Sequence, residues 1–563
     1  MISKLLMTKR RRLMATIILF GALTIIFMLP YMRGNYVTSF YNQNTTFHLN
    51  RISELVNALQ HGKILSYVNL STFKNVGVAT NLFYPFVFLY PFAIFDILLK
   101  NPIKGYLLGV AFFQFISMLI AYFSMYKFSK SEKQSILFSI IYSFSCYRVV
   151  DSLFRGALGE SLTLMILPVA VYGIYSLFFG NKKDWYWASI GIALLSYAHI
   201  LGILMFLIVA VLLFIIMLLV KNEFTLRIKQ IFYAAGLTLV LSAGIIFPML
   251  ESFLNVKILG AYKPILYDTA LDMSTLINSS LNNQMFDSKN GLFAYNIGII
   301  LLILPIILFY FVCHKKKMSI YGPIFGLGIL FFIMSTKLFP WNLLQETPFS
   351  LIQFPWRWLS FSTLFLAVFL SWELCQLKFK NAKIWIFLLL VFIIALHVSG
   401  LQNMKTEEAD RYGTISLKNY NEALNYKGTV DYAAVQAVPD GTHLDSTILD
   451  HKVFIDSKIQ KKIFKMTNYD GKLSVNGAKT IDLPILYYKG YVATNQNGDS
   501  LPIKISSRGT LKILSTKNTK EINISYKNTV IQKLSWIISI LGWIIFILMA
   551  IIQSYHRHQN KVN

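Results

Sequence analysis

The chain has 563 residues, 55% of them hydrophobic and 14% charged, with a formal net charge of +27. Mean hydropathy is +0.54, carried by repeated apolar runs near the ~20 residues that cross a bilayer, which excludes a soluble globular enzyme and gives a polytopic membrane protein. Much of the basic excess sits in short loops between those runs, the positive-inside pattern, so no nucleic-acid partner is expected.

The first apolar run, 13–31, follows Lys9-Arg10-Arg11-Arg12 and no small-residue cleavage site follows it. It reads as a retained anchor with a cytoplasmic N-terminus. Next comes a polar stretch from Asn44 to Gly62, NTTFHLNRISELVNALQHG. Asn44, His48 and Arg51 recur at steps of four and three, and Leu49, Ile52, Val56 and Leu59 fall on another face. The spacing predicts an amphipathic helix lying in the membrane interface with its polar face free to meet a ligand. The plainer reading makes it only an anchor for the first loop. Run 83–99 carries Pro85, Pro91 and Asp96, a poor continuous span, and is expected to be re-entrant or surface-lying.

The later runs lie near 105–126, 134–149, 161–179, 186–200, 201–220, 231–249, 296–313, 319–335, 357–374, 384–400 and 534–553. The basic loops around Lys127, Lys182, Arg227, Lys315 and Lys380, with the tail Arg557/Lys561, share a side with the N-terminus only if 83–99 does not cross. That predicts about twelve transmembrane helices in the cell membrane with both termini cytoplasmic. Cys146, Cys313 and Cys375 are far apart and form no Cys/His cluster, so neither a disulfide framework nor a zinc site is expected.

The outer loops then hold the chemistry. CYRVVDSLFRGALGESL puts Tyr147, Arg148, Asp151 and Arg155 at helical steps, with Glu160 just beyond. Charges at membrane depth are costly and mark function, although Asp151 paired with Arg148 or Arg155 could serve packing alone. His199 sits at a tight turn between two runs, as a packing residue or a base. Loop 250–295 reads as solvated. In Gln353-Phe354-Pro355-Trp356-Arg357-Trp358, Arg357 could hold a phosphate bidentately or snorkel to headgroups. P-loop, HExxH and GxSxG patterns are missing. From 401 to 533 hydropathy drops, and strand-like runs at 452–456, 461–467, 484–494, 503–507, 510–514 and 521–526 predict a small extracytoplasmic β-sandwich-like domain before the last helix. The organisation expected is 1–400 transmembrane with first outer loop 32–104, 401–533 β-rich, and 534–563 final helix and tail.

Together FHLNRISELVNALQHG, LFYPFVFLYPF, YRVVDSLFRGALGES, LMILPVAVYGIY, SYAH, QFPWRWLS and LPILYYKGY resemble, over essentially the whole chain, the bacterial membrane proteins labelled pyruvoyl-tetrahydropterin synthase-related. These are akin to YfhO-type proteins and to the wider GT-C superfamily of polyprenyl-sugar-dependent glycosyltransferases. The resemblance implies a GT-C-like helical core, a polyprenyl-phosphate-linked sugar entering from the lipid bilayer, and an envelope glycan as acceptor. It leaves a divalent metal open as a cofactor. In that family an acid stands four residues before the FH histidine. Here the position is Asn44, which cannot take up a proton usefully. The resemblance therefore points to other catalytic groups, Glu160 foremost, then Asp151, with His48 orienting the acceptor or the phosphate. Asn44, Arg51, Glu54, Arg155, His199 and Arg357 are assigned to substrate binding, Glu54 also being a candidate acid. The competing reading is a non-catalytic protein assisting envelope polysaccharide assembly or export. A transporter fits less well, because the polar groups gather at one face.

Overall fold

The computed structural model describes residues 2–32, 36–38, 44–220, 223–260, 262–287, 292–313, 320–408, 414–424, 430–466 and 469–559. Among them, eight helices are long and apolar enough to cross a membrane: Arg10–Leu29, Pro102–Ser129, Leu158–Phe178, Ile200–Val220, Phe224–Asn255, Pro355–Gln376, Ala382–Leu401 and Val530–Ile552. A ninth results if Glu132–Ser143 and Cys146–Phe154, bent by 54° from each other, form one span. The chain is thus a multi-pass membrane protein, but the twelve expected spans are not all of spanning length. Tyr186–Ala198 has 13 residues, Gly298–Cys313 has 16 and Tyr321–Met334 has 14, against the ~20 that a 30 Å core requires. The basic loop at 315–317 and the tail residue Lys561 lie outside the described residues.

Two expected segments are broken. Run 134–149 is not one helix: it stops at Ser143, Ser145 is extended, and the chain resumes as Cys146–Val149 followed by a π-helical turn, Val150–Phe154. Such π turns re-aim side chains within a helix. Run 83–99 divides into Thr80–Phe83, a 3-10 turn Val87–Leu89 and Tyr90–Leu99. The last piece, ten residues long, folds back along Pro102–Ser129, whose first turn is capped by Asn101 accepting from the Lys104 N–H at 3.0 Å.

The C-terminal region forms two antiparallel sheets. One has four strands, in the order Ser500–Leu501, Tyr491–Asn495, Glu521–Tyr526, Asp470–Ser474. The other has five, in the order Ile503–Ile505, Thr510–Leu514, Thr480–Leu486, Lys452–Ile455, Lys458–Ile463. Alternating residues such as Ile481, Leu483, Leu511, Ile513, Ile522 and Ile524 are buried in one shared core. The expected strand 484–494 is two strands, separated at Tyr487–Gly490. The expected strand at 461–467 runs instead over Lys458–Ile463, and residue 467 lies outside the described set.

The helix Asn44–Gln60 is present as expected, but its polar face is covered. Arg51, Glu54 and Asn50 are fully buried and His48 is 2% exposed. The expectation of a polar face free to meet a ligand is therefore not met. Residues 66–86 and the C-terminal sheets wrap the polar side: Leu486 N–H donates to the Val76 carbonyl at 2.9 Å, and Ser66 and Tyr469 share a hydrogen bond of 3.0 Å. Val530–Gln559 lies along Phe224–Asn255, where Gly244 leaves room for the Trp536 ring and its N–H donates to Ser539 Oγ at 3.0 Å.

Candidate functional site

The broken segment and the helix after it build the site. The π turn ends at Phe154 and Gly156 adopts φ +61°, a left-handed conformation natural to glycine. A Cβ there would sit 2.3 Å from Thr45 Oγ1, so the turn rests directly on the first-loop helix. The reversal brings Arg155 back over Glu160, which stands in the first turn of Leu158–Phe178. Arg155 Nη1 donates to Glu160 Oε2 at 2.6 Å and to Asp151 Oδ1 at 2.8 Å.

Arg357 joins from a 3-10 turn, Pro355–Trp358, that opens another span. Its Nε lies 3.4 Å from Glu160 Oε2. Its Nη1 donates to the Ile352 carbonyl at 2.8 Å and to Gln353 Oε1 at 2.9 Å, which fixes the guanidinium plane. The Tyr147 hydroxyl donates to the other oxygen, Glu160 Oε1. One carboxylate thus collects two guanidiniums and a phenol in a buried setting. Trp356 stacks on Tyr295 at 3.9 Å between ring centroids, and the Arg155 guanidinium lies 4.5 Å from the Trp356 centroid.

The other wall is aromatic and imidazole. Tyr84 lies between two histidines, its ring 5.7 Å from His48 and 5.1 Å from His199. Its hydroxyl reaches Gly159, where a Cβ would stand 2.0 Å away. His199 ends the helix Tyr186–Ala198 with an extended backbone. Burial foremost, then the neighbouring Arg51, hold His48 well below the usual imidazole range, with His199 and Arg155 adding to the effect. His48 is neutral at pH 7.

Arg51 and Glu54 do not join this cluster as ligands. Arg51 donates to Asn81 Oδ1 at 3.0 Å and to the carbonyls of Tyr84 and Pro85 at 2.7 and 2.8 Å. It shapes the Tyr84-Pro85 turn, and burial draws its pKa down to about 10. Glu54 accepts from Ser71 N–H at 2.9 Å and Oγ at 2.7 Å, from Thr72, and from the Tyr469 hydroxyl at 2.7 Å. Its oxygens are committed to joining the first loop to the C-terminal sheets. Asn44 is the first residue of the same helix and is half-buried.

Asp151 differs from Glu160 in one respect. Its Oδ1 is bonded to Arg155, while its Oδ2 is buried with no hydrogen-bond partner among the described residues, as is His48 Nδ1. A buried carboxylate oxygen left in this way demands a partner. Among the described residues no three His, Cys, Asp or Glu side chains come together as a metal site. Glu160, already holding two cations, does not fit a divalent metal. Neither Tyr84 nor Tyr295 is marked as a site residue by local sequence pattern. Tyr84 had a faint signal in the Phe83-Tyr84-Pro85 sequence, and Tyr295 had none.

No protein-family model matches the chain, and no curated protein matches it. Among solved structures the chain is similar to the single-particle cryo-EM structure of arabinofuranosyltransferase AftD from Mycobacteria. The TM-score is 0.46 with 14% identity, over 72% of this chain and 27% of that one. A mutant form of the same protein gives a TM-score of 0.42 with 15% identity, over 72% of this chain and 29% of that one. The chain therefore spans less than a third of the length of the solved structures it matches.

Proposed function

We propose that this chain is a membrane glycosyltransferase-like protein, moving a sugar from a polyprenyl-phosphate-linked donor to a cell-envelope glycan on the outer face of the cell membrane. Residues 1–400 form the GT-C-like core, 401–533 an outer β-rich domain that guides the acceptor, and 534–563 the final helix and cytoplasmic tail. The observation that carries the reading is the buried set Arg155–Glu160–Arg357 with Asp151 beside it. Two guanidiniums converging at a membrane-embedded helix start suit the phosphate of a lipid carrier.

The chemistry follows from which lone pairs are engaged. Glu160 is the weaker base of the two acids, because three donors occupy its oxygens. Asp151 Oδ2 takes the acceptor hydroxyl proton as the acceptor oxygen bonds to the anomeric carbon. The bond from that carbon to the phosphate oxygen breaks, and the electron pair leaves with the lipid phosphate. Arg155 and Arg357 meet the charge that develops there. Glu160 holds both arginines in place beforehand, and His48, His199 and Tyr84 line the approach.

The test compares Asp151→Asn, Glu160→Gln and Arg357→Ala with the parent for envelope glycan composition and lipid-linked sugars. Loss of one polymer and build-up of its lipid-linked precursor is expected in all three. Unchanged composition with normal protein level would overturn the transferase. A non-catalytic role in polysaccharide assembly or export is favoured by one specific observation: Asn44 stands where the resemblance expects an acid. Under that reading Asp151→Asn leaves glycan composition intact.

A further inference from the structure

A second site lies away from the acids. A cavity of about 480 Å³ runs between the helices Leu158–Phe178 and Ile200–Val220 on one side and Tyr321–Met334 and Leu359–Gln376 on the other. Along Leu158–Phe178 it starts at Pro168, roughly 12 Å from Glu160 at 1.5 Å per residue. From there it continues to Phe179 at the opposite end. Its walls are carbon, from side chains such as Phe138, Pro168, Leu327 and Phe365. Of its few hydroxyls, that of Tyr172 is engaged with Asp184 at 3.1 Å. Water would find almost no partners in it, whereas hydrocarbon loses nothing on entering.

The cavity has a lateral opening. Ile320, Pro323, Gly326 and Leu330 line it and are exposed, at steps of three and four that put them on one side of Tyr321–Met334. In a spanning bundle that side faces lipid. The end of the cavity beside Phe128 and Phe179 is basic. Lys130, Lys133 and Lys183 are exposed there and make no ion pair among the described residues. Lys182 is paired with Glu223 and Lys127 lies 5.4 Å from the Trp187 ring centroid. The acids at this end are Glu132, paired with Arg12 at 3.2 Å, Glu223, paired with Lys182, Asp184, and the buried Glu373 beside Leu374, whose carbonyl accepts from Lys133 at 3.5 Å. The balance is positive, where an anionic headgroup would sit.

We propose that this cleft binds one acyl chain of an anionic phospholipid, whose headgroup rests on Lys130, Lys133 and Lys183. The inference does not depend on the transferase reading. The full chain, stripped of lipid in detergent, is titrated with phosphatidylglycerol or with phosphatidylcholine of identical chains and read by native mass spectrometry. One retained phosphatidylglycerol, favoured about fivefold or more over phosphatidylcholine, is expected. Gly326→Trp fills the opening, since a Cβ at 326 meets no heavy atom within 4 Å, and should lower retention by about the same factor. Lys130→Gln with Lys183→Gln should keep the chain bound and erase the headgroup preference. Phosphatidylglycerol with a photoreactive group at its chain end should label peptides carrying Leu327 or Phe365 in the parent protein, a result that stands even if Gly326→Trp folds poorly. Equal retention of the two lipids, labelling confined to other peptides, or occupancy by polyprenyl phosphate alone would overturn the proposal.

Discussion

Glu160 shares its charge with Arg155 and Arg357 and accepts from Tyr147, so removing that charge acts on two properties at once. Glu160→Gln leaves two buried guanidiniums with one carboxylate fewer. Breaking a buried pair from one side costs about 3–5 kcal/mol, so a clear fall in thermal midpoint is expected in purified protein. Asp151→Asn keeps the shape but removes the proposed proton acceptor together with the charge that faces Arg155. It should lower turnover by about 10²–10⁴-fold, with a much smaller change in KM. Turnover close to the parent's in that variant would assign the proton to another group. His48 gives a pH signature. Its folded pKa is lowered by burial and by Arg51, whereas the unfolded chain takes up a proton near about 6.5. The stability tied to neutral His48 is thus complete above that pH and is lost as pH falls below it. Midpoints measured from pH 8 to pH 5 should decline less steeply in His48→Gln than in the parent, and identical slopes would count against it.

The elements position these residues, and their legibility varied for physical reasons. The strands Thr510–Leu514 and Glu521–Tyr526 carry a plain two-residue alternation and match their expected bounds. Asp470–Ser474 was hidden because Asp470-Gly471 reads as a turn, yet these residues begin a strand pairing with Glu521–Tyr526. The helix Asn44–Gln60 was legible as a helix from its period, but a period does not reveal what covers the polar face. Arg155, Asp151 and Glu160 could be grouped by spacing, while Arg357 meets Glu160 across 197 positions and no local pattern encodes that meeting. The break after Ser143 was invisible in a continuous apolar run. Because the turn at Gly156 rests on Thr45, Gly156→Ala should destabilise by about 1–3 kcal/mol. Adding Thr45→Ala should recover part of that loss, a non-additivity that a double-mutant cycle reads directly.

At the scale of the whole molecule, the first loop, the acid cluster and the C-terminal sheets meet at one end of the bundle, and the lysine-rimmed cleft opens toward the other. Under the proposed topology, loop charge orients the first end outward. Cysteine introduced at His443, which is exposed in the C-terminal region, should react with a membrane-impermeant maleimide in intact cells. Cysteine introduced at Lys130 should react only after the cells are opened. The reverse pattern would invert the proposed orientation.

The bond between Glu54 and Tyr469 closes a gap of 415 positions. A growing chain therefore inserts most of its helices before Glu54 can meet that partner. Until the ribosome has delivered the sheets, the first-loop helix carries an acid that favours water, and the wall containing His48 and Tyr84 lacks its backing. A single helix near the start of the chain thus registers whether the C-terminal sheets have arrived.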